Sequence, residues 1–212
     1  LCPEYNLLWE NTGFTLLGVK FSINLTEMVN INYDSKIEEI KNLFLCWSKR
    51  VISPLGKLVV IKTLALAKLN HLILAIPNPS QEKLNIIQTL FFNFLWNNAN
   101  DKVKRSIITQ DYKYGGLKMI DIKTFVYSLK ATWLRRLLEM NNKFSHLVEN
   151  ICPALKNIYK YGSDFTKRHM NQEQNPFWKD VLISYYSLTL SINPTCNSHY
   201  GTVNLWYNPS IK

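Results

Sequence analysis

Catalysis on nucleic acid or on peptides needs carboxylates, imidazoles or thiols brought close together. The 212-residue chain has fifteen acidic residues, scattered with no adjacent Asp pair. A polymerase needs such a pair to hold two metal ions. His71, His146, His169 and His199 are isolated, and Cys2, Cys46, Cys152 and Cys196 form no C-x-x-C. Cys196-Asn-Ser-His199 has a ligand-like spacing but lacks a second pair for tetrahedral zinc. Thr202 lacks the partners a nucleophile requires. No phosphate-loop, nucleophile-elbow or zinc-protease motif occurs. The residue types therefore point away from independent catalysis, metal binding and disulfide scaffolding, and toward a reduced, intracellular setting.

The basic residues are organised instead. Lys49, Arg50, Lys57, Lys62 and Lys68 form one group. Lys102, Lys104, Arg105, Lys113, Lys118 and Lys123 form a second, around Gly115 and Gly116. Few acids are interleaved, and the chain carries +10 overall. Cations at these positions suit phosphate contacts, which release counterions and bind without reading sequence. Gly115 and Gly116 would let a nucleic-acid backbone approach closely, or simply make a turn. Lys57 and Lys68 are eleven residues apart, which on a regular helix puts them on one side. Trp47, Trp96 and Trp133 sit on apolar stripes, which favours core roles over stacking platforms.

The elements that must position these groups read as mainly helical. Phe14–Ser22 reads as a strand with a bend at Gly18. The polar run Asn24–Asp34 reads as a connector. Ile37, Ile40, Phe44, Trp47 and Val51 then mark a helix, with Glu38 and Glu39 at its start and Lys49 and Arg50 at its end. Ser53-Pro54 starts a second helix, with Leu55, Leu58, Val59, Leu66, Leu69 and Ile73 as its apolar surface; Pro77 and Pro79 stop it near Ile76. Ser80 opens a third helix with Leu84, Ile87, Phe91, Phe94 and Leu95 inward. Val103–Thr109 and Leu117–Ile120 read as a small β-hairpin about the Tyr114-Gly115-Gly116 turn. Asp121 caps a fourth helix with Ile122, Phe125, Val126, Leu129, Trp133 and Leu137 on one side. Ser145–Tyr159 reads as helical despite Pro153, Asn175-Pro176 starts a helix with Phe177, Val181, Leu182 and Tyr185 inward, and the last twenty residues read as tail. At 47% hydrophobic and 19% charged residues the chain has the composition of a globular protein. The longest apolar run, Leu64–Ile76, is interrupted by Lys68, Asn70 and His71 and falls short of a membrane span. No secretory leader pattern opens the chain, and a start at Leu1 reads as a fragment.

Several of these residues, taken in order, resemble LINE-type (non-LTR) retrotransposon reverse transcriptases. In that family a strand of the form Tyr-Leu-Gly-Ile follows the palm; Leu16-Leu17-Gly18-Val19 is similar, with Leu16 in place of the aromatic. A helix ending in Trp and a Ser-x-x-Gly-Arg step come next. Trp47-Ser48-Lys49-Arg50 and Ser53-Pro54-Leu55-Gly56-Lys57 resemble them, with Lys57 where Arg is usual. Ile76-Pro77-Asn78-Pro79 matches the family's Ile-Pro-x-Pro break, and Phe94-Leu95-Trp96 its Phe-Ile-Trp helix end. Lys104-Arg105, Tyr114-Gly115-Gly116-Leu117 and the helix Asp121–Leu138 complete the series. The resemblance covers residues 12–140; residues 141–212 and the family's Cys/His knuckle lie outside it.

The resemblance implies an end of palm at 1–32 with Leu17 and Gly18 in the primer grip, a helical thumb at 33–100, a basic hairpin plus helix at 101–141, and a helical or irregular region at 142–212. It implies RNA and DNA, as a template–primer duplex, as partners, together with upstream palm and fingers of a parent polymerase and no membrane. The parent would use Mg²⁺ and deoxynucleotides. The fragment, lacking the palm carboxylates, would hold no cofactor, and its setting would be nuclear or cytoplasmic. A non-enzymatic helical interaction protein and a degenerate retroelement product are the alternatives.

Overall fold

A computed structural model describes residues 13–139 and 165–191, together with Asn150, Cys152, Pro153, Leu155 and Ile158. The predicted helix at Ser145–Tyr159 lies largely outside these residues, as do the Cys196-x-x-His199 spacing, Thr202 and the tail. Among the described residues the mainly α reading holds. Two compact units divide the chain. Among the described residues, the first covers residues 13–72 and resumes over Pro79–Asp101, and the second takes Ile73–Asn78 and those from Lys102 on.

In the first unit, Phe14–Ser22 is not one strand. β1 (Phe14–Leu16) pairs antiparallel with β2 (Val19–Phe21), with Leu16 opposite Val19. Leu17 and Gly18 form the two-residue turn, with φ of 50° and 79°. Two left-handed residues match the twist of a tight hairpin.

The Asn24–Asp34 connector is also corrected. Asn24 caps α1 (Leu25–Ser48), its side chain accepting from the Glu27 N–H at 3.2 Å. Glu38 and Glu39 therefore lie mid-helix, Glu27 is the acid of the first turn, and Lys49 is the C-cap. What makes the polar stretch helical is tertiary. Asn32 is buried, accepts from the Lys20 N–H at 2.9 Å and donates to the Lys20 carbonyl at 2.7 Å. One amide thus satisfies a strand edge that would otherwise lack partners.

α2 (Pro54–Ala75) begins as predicted, with the Ser53 hydroxyl accepting from the Gly56 N–H at 3.2 Å. Leu58, Leu66, Leu69 and Ile73 are buried, but Leu55 and Val59 are exposed and Ile61, Ala65 and Leu72 take the inward places. A π-helical stretch, Ile61–Ala65, interrupts the α pattern. It inserts one residue, which turns everything after it by about 100° relative to a regular helix. At 22 residues α2 is long and apolar enough, by length and composition, to cross a membrane, contrary to the expectation that no segment is. Within the first unit, α3 (Gln81–Trp96) packs against α1 and against the Pro54–Val60 part of α2, and Phe44 of α1 stacks on Phe94 of α3 at 4.2 Å.

In the second unit the expected hairpin at 103–120 is absent. Arg105–Ile108 forms one helical turn, α4, and Tyr112–Tyr114 a 3-10 turn. The chain does fold back on itself, but through isolated bonds: Leu117 and Met119 N–H groups both reach the Ile108 carbonyl, at 3.0 Å each. α5 (Ile122–Glu139) and α6 (Pro176–Ser191) pack together around Leu134, Trp178, Val181 and Leu182. Asp121 and Asn175 cap them as the sequence predicts.

Candidate nucleic-acid interface

The first basic group does not present five cations to solvent. Lys57, in the first turn of α2, is only 4% exposed. Its ammonium donates to the carbonyls of Phe94 at 2.9 Å and Leu95 at 3.4 Å, and to the Asn97 side-chain oxygen. These carbonyls end α3, where the helix dipole favours a cation and the last C=O groups need donors. Burial pushes the Lys57 pKa below its ordinary value. Lys57 is thus a helix-capping group, and its assignment as a phosphate contact is corrected. Asn97 and Asn98, both left-handed, finish the same helix end, with the Asn98 N–H on the Asn93 carbonyl at 2.8 Å.

Lys68 pairs with Glu39 at 2.9 Å. Hydrogen bonds from Lys36, then Lys68, hold the Glu39 carboxyl below its usual range. Lys57 and Lys68 therefore reach different helices, because the π stretch between them breaks the shared side that regular spacing predicts. Lys62 is half-buried. Lys49 and Arg50 are exposed directly after α1, with the Arg50 guanidinium 4.6 Å above the Trp47 ring.

The second group is different. Lys102, Lys104, Arg105, Lys113 and Lys118 are all exposed and lie within one loop of the second unit. Lys118 pairs with Asp111 at 3.0 Å, and that bond holds the Asp111 carboxyl down. Gly115 is open, with φ of 77° and nothing within 4 Å of where a Cβ would stand. Gly116 is not open: a Cβ there would lie 2.1 Å from the Gln110 carbonyl. Its missing side chain serves the loop's own packing, so of the two glycines only Gly115 leaves room for a ligand.

Leu17 and Gly18, the expected primer-grip residues, sit at the hairpin tip rather than in a strand, and Leu17 is 82% exposed. A bulky residue held left-handed and bare to solvent is costly, and such strain clusters at functional positions.

Three features escaped the sequence reading. Tyr112 and Tyr114 are both exposed on the basic loop. Lys130 is fully buried, although Ile122, Val126 and Leu134 repeat every four residues around it and could have signalled this. Its ammonium donates to the Ile76 carbonyl at 2.6 Å and lies 4.3 Å from the Phe177 ring; burial lowers its pKa to about 7. Asp180 accepts from the Asn78 N–H at 2.7 Å, and the Trp133 indole donates to the Leu74 carbonyl at 3.1 Å. The Ile76-Pro77-Asn78-Pro79 break is therefore tied down by side chains of α5 and α6. The third feature is a cleft of about 230 Å³ between the C-terminal halves of α1 and α3, lined by Lys41, Phe44, Leu45, Asn93 and Asn98. It suits one or two side chains; ligand pockets usually exceed about 300 Å³.

Among the described residues no three His, Cys, Asp or Glu side chains gather as a metal site. No family model matches the chain.

Proposed function

We propose that this chain binds a template–primer duplex, as the thumb-like piece of a LINE-type reverse transcriptase whose catalytic carboxylates lie outside it. The observation that supports this reading best is the 102–118 loop: five exposed cations on one glycine-bearing segment. Lys49 and Arg50 supply a further exposed pair. Cations that the fold leaves at the surface are within reach of phosphates, as a buried ammonium is not. The exposed Leu17-Gly18 tip suits a primer-grip contact, with apolar surface against a sugar. Such a role places the protein inside the cell, in nucleus or cytoplasm, working with the palm and fingers of its parent.

The test is binding of an RNA–DNA hybrid over a range of salt. Log affinity falls with log salt at a slope of about −0.9 per phosphate neutralised. A flat response rejects the duplex-binding role. The α1–α3 cleft, with Leu45 63% exposed beside it, favours a second reading as an interaction protein that receives an apolar side chain of a partner helix. In that case binding to nucleic acid is weak and insensitive to Lys104→Ala with Lys113→Ala.

A further inference from the structure

We propose that the Tyr112–Gly115 turn is a stacking platform for unpaired bases of a single-stranded nucleic acid. The inference rests on the nucleic-acid reading above and narrows it to a strand beyond the duplex.

Tyr112 and Tyr114 are 55% and 66% exposed, two large rings left in water within three residues. Isolated exposed apolar groups are ordinary. These two stand two positions apart, and each has a lysine over one face: the Lys118 ammonium is 5.3 Å from the Tyr112 ring centre and the Lys113 ammonium 4.8 Å from that of Tyr114. The loop from Asp101 to Lys118 holds five cations against two carboxylates, Asp101 and Asp111. An anionic chain carrying flat apolar groups complements both features. A nucleic-acid strand is one, with phosphates for the lysines and π-faces for the rings.

Hydrogen bonds close the backbone that carries the two rings. The N–H groups of Tyr114 and Gly116 both reach the Asp111 carbonyl, at 2.9 and 3.1 Å, and the Gly115 N–H reaches that of Tyr112 at 3.0 Å. Gly116 seats this turn against Gln110 with no room for a side chain. Lys118 is held left-handed, at φ 53°, with its N–H on the Gln110 carbonyl at 2.9 Å. That conformation is unfavourable for lysine, and it accompanies an ammonium placed between Asp111 and the Tyr112 ring. A backbone already fixed loses little entropy on binding. A duplex keeps its base faces stacked inside, so rings on an exposed turn meet only bases that are already unpaired.

The test uses the full chain, labelled twelve-nucleotide oligo-dT and oligo-U, and a blunt RNA–DNA hybrid, followed by fluorescence anisotropy. Tyr112→Ala with Tyr114→Ala should weaken binding of the single strands by roughly 10- to 100-fold, from the usual worth of a stacked base. Hybrid binding should stay within about twofold of the unsubstituted chain. Tyr→Phe at both positions should retain binding, because stacking needs the ring and not the hydroxyl. Tyr114→Leu, which keeps bulk without a π-face, should weaken single-strand binding, and it carries the test if the double alanine variant fails to fold. Equal loss for oligo-dT and oligo-U supports a platform indifferent to sugar; loss for one alone supports a platform for that strand type. Unchanged single-strand binding in the alanine or leucine variants overturns the proposal. So does equal loss of hybrid and single strand in folded protein. If the unsubstituted chain binds hybrid but no single strand, the platform falls and the duplex reading stands. If it binds neither, both fall.

Discussion

The helical bundle of the first unit and the loop at 102–118 are both rich in lysine, yet the fold leaves a larger share of the loop's charge at the surface. In the bundle several cations turn to the protein itself, while Lys49 and Arg50 stay exposed. Lys57 closes the end of α3, Lys36 and Lys68 share Glu39, Lys41 takes Glu38, and Lys83 reaches Asp34. In the loop the lysines and Arg105 stand exposed on the segment that carries the exposed Tyr112 and Tyr114, although Lys118 also pairs with Asp111. The lesson is that a count of basic residues overstates a phosphate-binding surface. A buried ammonium on a helix's last carbonyls is structural cement, and only side chains the fold leaves exposed are available to a polyanion.

The strongest way to break this contrast is Lys57→Ala. It strands the Phe94 and Leu95 carbonyls and removes a buried stem, so unfolding free energy should drop by about 2–4 kcal/mol. The urea midpoint reads this directly. Retained stability together with weakened hybrid binding would return Lys57 to the phosphate-binding set.

Next comes pH. The Lys130 pKa is about 7 in the folded chain against an ordinary 10.5, so between these values the unfolded chain binds more protons than the folded one. Stability of the second unit therefore rises with pH through this window, at up to about 1.4 kcal/mol per unit. A gain of roughly 2–3 kcal/mol between about pH 7 and 9.5 is expected, and Lys130→Met should flatten it. Asp180 acts in acid with the other sign: burial raises its pKa, so its contribution falls as pH climbs from the ordinary carboxylate value to the raised one. Thermal melts from about pH 6 to 9.5 compare the two proteins. A flat profile in the unsubstituted chain would mean that water reaches Lys130.

Gly116→Ala should disturb the loop and spare the bundle. Its Cβ would meet the Gln110 carbonyl, so the loop must shift, at a cost of about 1–3 kcal/mol. Amide exchange should accelerate over 107–119 while α1 and α3 stay protected.

The smallest effect on stability belongs to the exposed cations. Lys104→Ala with Lys113→Ala should change stability by less than about 0.5 kcal/mol. The same change should lower the salt slope of hybrid binding by roughly one for each phosphate no longer neutralised. A stability loss matching that of Lys57→Ala would erase the distinction between the two regions.

Local chemistry settled much of this protein in advance. Ser53, Ser80, Asp121 and Asn175 cap helices because a short oxygen-bearing side chain ahead of an apolar stripe satisfies free N–H groups within three residues. The stops at Pro77 and after Trp96, and the inward stripes of α3, α5 and α6, follow from the same short-range rules. The tertiary structure decided the rest. Asn24 and Glu27 carry a local helix-start signal, but the polar run beyond them is tied down only where Asn32 meets the hairpin backbone of Lys20. Leu17 gives no left-handed signal of its own; strand pairing on either side imposes it. Arg105–Ile108 coils instead of pairing, and Gly116 is needed by Gln110, a neighbour six residues back. The fates of the lysines were the least legible. Whether an ammonium faces a phosphate or a buried carbonyl depends on which helix end comes to lie beside it, and that information sits 37 residues away for Lys57 and 54 for Lys130.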